Sequence, residues 1–255
     1  MRILVVEGNG PREIAALAEI GARPPAEAYG AVLARHAPGL RLAYTRPLEQ
    51  AEPVLDGIDA VALTGSGVPW SADAPQARPH RRVVERAFAA GLPVFGSCWG
   101  LQVPAVVLGG AVGAAPSGVE VPLARNIALT DAGRRHPMHA ARPAVFDAPC
   151  IHRDIVTRVP EGAVVTASNA HSAVQAMVYE RPDARFWGVQ YHPEMQLAEV
   201  LALVAMPGGA AVFGAEVEPA GTPRRYADEA PADGTEQAAW LAALSAGGAV
   251  GHTGP

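Results

Sequence analysis

The chain has 255 residues, of which 49% are apolar and 18% are charged, a composition typical of a globular protein with a sizeable core. Its 25 acidic and 20 basic side chains give a formal net charge of −5, and no Lys/Arg run is dense enough to indicate a nucleic-acid or membrane partner. The two cysteines, Cys98 and Cys150, do not indicate a disulfide framework, and no apolar run has the length of a membrane span. Because the chain opens without a signal-peptide pattern, we expect a cytoplasmic protein.

The first part of the chain alternates short apolar runs with helical patterns. Helices are predicted over residues 12–21, 26–36 and 78–90, and strands are predicted over residues 3–6, 40–44, 60–63 and 92–95. Short connections between alternating strands and helices predict an α/β fold with a mostly parallel sheet and helices on both faces.

Beyond residue 110 the pattern changes to short strand-like runs separated by Pro, Gly and polar turns. These runs lie at 119–121, 127–130, 163–167 and 173–178, and their alternation predicts a small antiparallel region. A late strand at 186–190 precedes a helix predicted from 194 to about 205. We therefore expect one α/β domain over residues 1–205, followed by a Gly/Ala/Pro-rich, partly irregular extension over 206–255 with helix-like islands at 224–226 and 236–244.

A cysteine between two glycines stands where the 92–95 strand gives way to a helical pattern. The segment reads Gly96-Ser97-Cys98-Trp99-Gly100, and a reactive side chain at such a strand-to-helix turn has the form of a nucleophile elbow. The glycines permit a sharp turn and close approach of a substrate, and the start of the helix favours a thiolate. Taken alone, the segment fits an inert buried cysteine equally well.

A thiol nucleophile needs a base, and the base needs an orienting carboxylate. His192 follows the late strand, at the carboxyl end where the sites of α/β proteins gather. Glu194 comes two residues later, beyond the rigid spacer Pro193, so it could hold one imidazole nitrogen while the other faces Cys98. Alone, the run His192-Pro193-Glu194 also fits the capped start of a helix.

An acyl-transfer site also needs N–H donors for the oxyanion. The backbone N–H of Trp99, next to the nucleophile, is one candidate. The turn Gly65-Ser66-Gly67, after the 60–63 strand, is predicted to supply the second donor through Ser66 or Gly67.

Together these segments resemble the class I (triad) glutamine amidotransferases from residue 1 to about residue 205. The resemblance rests on G-x-C-x-G-x-Q at 96–102, on the Gly-rich turn one strand earlier and on the Tyr-His-Pro-Glu run at 191–194. Segments 167–176 and 186–194 are similar to those of free-standing glutaminases related to the amidotransferase part of GMP synthetase. The oxyanion turn departs from the Gly-Gly-Pro frequent in the family, which leaves open which N–H serves.

This resemblance implies a flavodoxin-like sheet, a triad of Cys98, His192 and Glu194, and an oxyanion site completed at Gly65–Gly67. It also implies that Gln102 helps to bind glutamine. The γ-carboxamide of glutamine would be hydrolysed through a thioester, and the ammonia would pass to an acceptor or to a separate synthase, since the chain has no P-loop and no length for a synthetase domain.

No cofactor is expected. No metal is expected either, because His136 and His139 have a spacing that a metal could use but lack a third ligand.

Two alternative functions stay open: the same triad acting on a γ-glutamyl amide or peptide, and a non-enzymatic subunit with a silent site. The sequence does not identify the acceptor, the pathway or the oligomeric state.

Overall fold

The computed structural model describes residues 1–206 and 234–247. Its strands are β1 (Arg2–Val6), β2 (Arg41–Thr45), β3 (Ala60–Leu63), β4 (Val94–Ser97), β5 (Ala111–Ala114), β6 (Leu123–Leu129), β7 (Val145–Pro149), β8 (Asp154–Arg158), β9 (Val164–Ser168), β10 (Ala176–Arg181) and β11 (Ala184–Val189). Its α-helices are α1 (Pro11–Glu19), α2 (Pro25–His36), α3 (Arg78–Ala89), α4 (Trp99–Val107), α5 (Asp131–Arg135), α6 (Leu197–Val204) and α7 (Thr235–Gly247). Short 3-10 helices cover Pro75–Ala77 and Pro137–His139.

Nine of the strands form one mixed sheet in the order β2-β1-β3-β4-β11-β10-β9-β6-β7. The five strands from β2 to β11 are parallel and have the 2-1-3-4-5 order of a flavodoxin-like sheet. The other four strands continue the sheet with antiparallel pairings, and β5 pairs with β8 in a separate two-stranded sheet. The predicted α/β fold, with its parallel sheet and an antiparallel region, is confirmed.

Alternate residues of the central strands enter two separate cores, one on each face of the sheet. Ile3 and Val5 of β1 pack with residues of α2 and α7, whereas Leu4 and Val6 pack with residues of α3 and α4 on the other face. Strands buried on both faces read as continuous apolar runs, which is why β1, β3 and β4 are easily recognised in the sequence.

The antiparallel half differs most from the sequence-based expectation. The elements β5, β7, β8 and α5 are not predicted, because they are short and carry Gly, Pro or charged side chains. Conversely, the predicted strand at 119–121 forms only an isolated bridge between Glu120 and His152. The following residue, Pro122, has no N–H with which to extend a ladder.

Helix α7 packs on the parallel half of the sheet, and the predicted helical island at 236–244 lies within it. Its Trp240 ring packs on Phe95 of β4, with ring centroids 5.5 Å apart. Residues 207–233 and 248–255, which include the predicted island at 224–226 and most of the predicted extension, lie outside the described residues. No helix in the two described ranges is long and apolar enough to span a membrane.

A buried ion pair anchors α7 to the antiparallel half. Glu236 accepts N–H bonds from Arg142 Nε at 2.7 Å and Nη2 at 2.9 Å, with both side chains almost completely buried. Burial alone would raise the pKa of Glu236, but His139 and Arg142 outweigh burial and lower it to about 2. His139 Nδ1 lies 3.8 Å from Glu236 Oε1, too far for a hydrogen bond, so this imidazole acts on the carboxylate electrostatically.

Glu236→Gln removes the buried counter-charge of Arg142, so we expect the free energy of unfolding at neutral pH to fall by about 3 kcal/mol. A carboxylate with a lowered pKa stabilises the fold above the unfolded value of 4.5 and loses that effect as the pH falls towards about 2. The difference from wild type should therefore shrink over that window in urea denaturation at several pH values. The control is Glu85→Gln, at an exposed position of α3. Equal free energies of unfolding for the two variants at neutral pH would contradict a stabilising role for the buried Glu236–Arg142 ion pair.

Candidate active site

The carboxyl ends of β3, β4 and β11 lie side by side. Leu63 of β3 is in register with Gly96 of β4, and Ser97 of β4 is in register with Val189 of β11. The N–H of Cys98 continues this ladder by donating to Val189 O at 2.8 Å. The three turns that follow these strands, which carry all the sequence-predicted site residues except Gln102, therefore meet at one edge of the sheet.

Cys98 occupies a strained turn at the start of α4. Its backbone has φ 55° and ψ −107°, a region that residues with a Cβ rarely adopt, at a cost of roughly 1–3 kcal/mol. A Cβ on Gly96 would lie 2.1 Å from Gly100 O, and a Cβ on Gly100 would lie 2.4 Å from Leu63 O. Both glycines are thus required by close approach of the protein's own backbone, which explains the Gly-x-Cys-x-Gly pattern without invoking the substrate.

His192 and Glu194 form a buried pair beside this turn. His192 Nδ1 lies 2.7 Å from Glu194 Oε1, and both side chains are less than a tenth exposed. A Cβ on Gly65 would lie 2.6 Å from His192 Cε1, 3.4 Å from its Nε2 and 3.6 Å from Cys98 Cβ. The absent side chain of Gly65 therefore leaves open the space between the imidazole and Cys98, whose Sγ donates to Ile151 O at 3.7 Å.

The charge on His192 is set by its neighbours. Burial disfavours the imidazolium, but Glu194 and Cys98 outweigh burial and raise the pKa of His192 to about 10. Its Nε2 makes no hydrogen bond to any described residue. At neutral pH the ring is then an imidazolium, with Nδ1 donating to Glu194 and Nε2 carrying a second proton.

Gln237 of α7 lies on the other side of Glu194. Its Nε2 donates to Glu194 Oε2 at 3.1 Å, so each carboxylate oxygen has its own partner. On the nucleophile side, the Tyr29 hydroxyl lies 3.1 Å from Ser97 Oγ. Sequence reasoning missed both Tyr29 and Gln237, because neither belongs to a motif and both reach the site only through tertiary packing.

The turn at Gly65–Gly67 is braced by the loop that follows β1. Gly67 N–H donates to Asn9 Oδ1 at 2.7 Å, and Ser66 Oγ donates to Gly8 O at 2.8 Å. The N–H of Ser66 makes no hydrogen bond to any described residue, and that of Trp99, the first residue of α4, has no partner inside the helix. Of the two predicted turn donors, Ser66 therefore has the available N–H.

Gln102 lies one turn into α4 and is buried. Its Nε2 donates to Asp154 O at 2.8 Å and to Gln190 Oε1 at 3.3 Å. It thus links the helix of Cys98 both to the end of β11 and to the start of β8.

A second group of Cys, His and Glu lies nearby. Potential ligand atoms of Glu120, Cys150 and His152 lie within 4.8 Å of one another. His152, Gln175 and Asn169 already bond the Glu120 carboxylate, at 2.9, 2.7 and 2.6 Å. Burial, together with Glu120 and Cys98, holds the pKa of the Cys150 thiol well above its usual range. With three donors already on the Glu120 carboxylate and a neutral thiol at Cys150, this group fits a structural hydrogen-bond network better than a metal site or a nucleophile.

Comparison with known proteins places these residues in a family. The family model "Glutamine amidotransferase class-I" matches residues 42–200. Gamma-glutamyl-L-1-hydroxyisopropylamide hydrolase from a Pseudomonas species is 35% identical over 203 residues, covering 76% of this chain and 68% of the relative. The glutamine-hydrolysing GMP synthase of Mycobacterium marinum is 38% identical over 143 residues, covering 54% of this chain but only 24% of that protein. The chain thus spans about a quarter of that GMP synthase.

Solved structures share the fold. A glutamine amidotransferase from Thermotoga maritima superposes with a TM-score of 0.61 at 17% identity, covering 96% of this chain and 98% of that one. Another, from Methylobacillus flagellatus, gives a TM-score of 0.63 at 20% identity, covering 97% and 94%. The family model matches more than half of the chain, and the protein belongs to the class I glutamine amidotransferases.

Proposed function

We propose that this protein is a glutaminase that hydrolyses the γ-carboxamide of glutamine through a thioester on Cys98. His192 serves as the acid and base, and Glu194 orients it. The observation that carries the proposal is the meeting of a strained cysteine and a buried His–Glu pair around Gly65. Membership in an amidotransferase family supports the reaction class.

In the proposed mechanism the Cys98 thiolate attacks the γ-carbonyl carbon of the substrate. The tetrahedral oxyanion accepts hydrogen bonds from the backbone N–H groups of Trp99 and Ser66. The imidazolium of His192 gives its Nε2 proton to the departing nitrogen, so that ammonia leaves and a γ-glutamyl thioester remains. The neutral imidazole then takes a proton from water, whose oxygen attacks the thioester and releases glutamate and the thiolate.

The turn and Gln102 complete the substrate side in this proposal. Gly65 leaves the space that the tetrahedral intermediate needs, and Gly67 holds the turn through Asn9. Gln102 Nε2 is engaged with Asp154 and Gln190, which leaves Oε1 as the atom that meets a substrate amine.

The acceptor of the ammonia is proposed to be a separate synthase. The matched part of the M. marinum GMP synthase is about a quarter of that protein, so the remainder of that enzyme has no counterpart in the match. With a partner that carries the synthase activity, this chain would be the glutaminase component of a two-chain system in the cytoplasm.

A second candidate function keeps the same triad and changes the substrate. The 35% identical Pseudomonas relative is named as a hydrolase of a γ-glutamyl amide, and the match covers three quarters of this chain. In this candidate the leaving group is an amine larger than ammonia, and no partner synthase is needed.

Cys98→Ala should lower the rate of glutamate release from glutamine by at least about a thousandfold, because it removes the nucleophile. Cys150→Ala is the matched control, since its buried neutral thiol is expected to leave turnover near wild type. A coupled glutamate assay measures both variants, and mass spectrometry follows covalent capture of Cys98 by a diazo-ketone analogue of glutamine. Turnover retained by Cys98→Ala would refute the assignment, and failure of the wild type to form any adduct would favour a silent site.

The substrate is decided by comparing kcat/KM for glutamine with that for a panel of γ-glutamyl alkylamides. The glutaminase proposal predicts that glutamine is preferred by at least about tenfold, with a further rise when the partner synthase is added. A preference for alkylamides, with glutamine turned over slowly under all conditions, would instead establish the second candidate.

A further inference from the structure

The start of helix α7 contacts the segment that carries His192 at three successive points. Gly234 N–H donates to Pro193 O at 2.9 Å, and the Tyr191 hydroxyl donates to Glu236 Oε1 at 2.9 Å. Gln237 Nε2 donates to Glu194 Oε2 at 3.1 Å. The helix therefore holds this segment both before and after the imidazole.

The third contact determines how the Glu194 carboxylate is turned. Oε1 accepts from His192 Nδ1 and Oε2 accepts from Gln237, so rotation of the carboxylate breaks both hydrogen bonds. The Gln237 side chain is fully buried and that of Glu194 is 8% exposed, which leaves water little access as a substitute partner. A neutral amide donor fixes the carboxylate without cancelling the charge that stabilises the imidazolium.

Gln237 is itself held in place by its neighbours on α7. Glu236 is paired with Arg142 in the bidentate geometry described above, and Trp240 packs on Phe95 in the strand that leads to Cys98. The Gln237 amide therefore reaches Glu194 from a helix that these two contacts hold in place, rather than from a loop.

We propose that Gln237 is a positioning residue, whose side-chain amide holds Glu194 so that Nε2 of His192 faces Cys98. The inference rests on the proposed triad and extends it. Gln237 lies beyond residue 200, where the match to the family model ends, so this chain supplies the contact from outside the matched segment.

The test uses Gln237→Met in the full-length protein, because Met has nearly the same volume as Gln and no N–H donor. Ser245→Ala, at an exposed position of the same helix, is the matched control. Three quantities are compared: kcat for glutamine, KM for glutamine, and the rate at which iodoacetamide alkylates Cys98 as a function of pH. Peptide mapping by mass spectrometry assigns the alkylated cysteine.

We expect Gln237→Met to lower kcat about tenfold with KM within about twofold of wild type. With Glu194 free to turn, the imidazolium is less stable and fewer thiolate–imidazolium pairs exist at neutral pH. Alkylation of Cys98 at pH 7 should slow by a similar factor, and its pH profile should move to higher pH, whereas Ser245→Ala should match wild type. Among the described residues, the titratable groups next to the pair are Cys98, which acts on His192, Tyr29, which lies near both Glu194 and Gln237, and Glu236, which is paired with Arg142.

A wild-type alkylation profile in Gln237→Met, together with a wild-type kcat, would overturn the proposal. If Gln237→Met does not fold, Gln237→Asn, which keeps the amide but shortens its reach, is measured with the same expectation. The alkylation readout needs no substrate. A wild-type protein that turns over neither glutamine nor a γ-glutamyl amide would therefore refute the proposed function, while the alkylation comparison would still decide the role of Gln237.

Discussion

The buried ion pair between His192 and Glu194 is the interaction on which the rest of the site depends. An imidazole in this position would lose its charge to burial alone, and the neighbouring carboxylate and sulfur reverse that preference. In the proposed mechanism the carboxylate acts only while it is turned towards Nδ1, so the proposed chemistry depends on the packing of helix α7. In the proposed triad this two-residue motif is supported by Gln237, 43 positions after Glu194.

The sheet supplies the other constraint. Pairing of β4 with β11 brings two turns far apart in sequence to one edge, and the Cys98 N–H continues the same ladder. The unfavourable φ of Cys98 is tolerated because Gly96 and Gly100 allow strand, helix and neighbouring backbone to approach closely. The surrounding backbone therefore fixes the thiol, instead of leaving it on a mobile loop.

Much of this arrangement could be predicted from the sequence, because its signals are local. Apolar runs of four residues mark the doubly buried parallel strands, and the Gly-x-Cys-x-Gly and His-Pro-Glu patterns mark the turns beside them. The strands β7 and β8 were not predicted because they are short and carry Asp, Arg and Pro. The role of Gln237 was not predicted for a different reason. Its contact with Glu194 forms only when α7 packs on the sheet, and a helical sequence pattern does not indicate such a contact.

The charge state of His192 tests the account most directly. Nuclear magnetic resonance of the labelled imidazole, assigned by comparison with His192→Ala, follows its titration in the intact protein. The account predicts that the ring stays doubly protonated through neutral pH and loses its proton near pH 10, and that Glu194→Gln brings this titration to lower pH. A ring that titrates near its ordinary value of 6.5, unaffected by Glu194→Gln, would contradict the claim that a buried His–Glu pair organises the site.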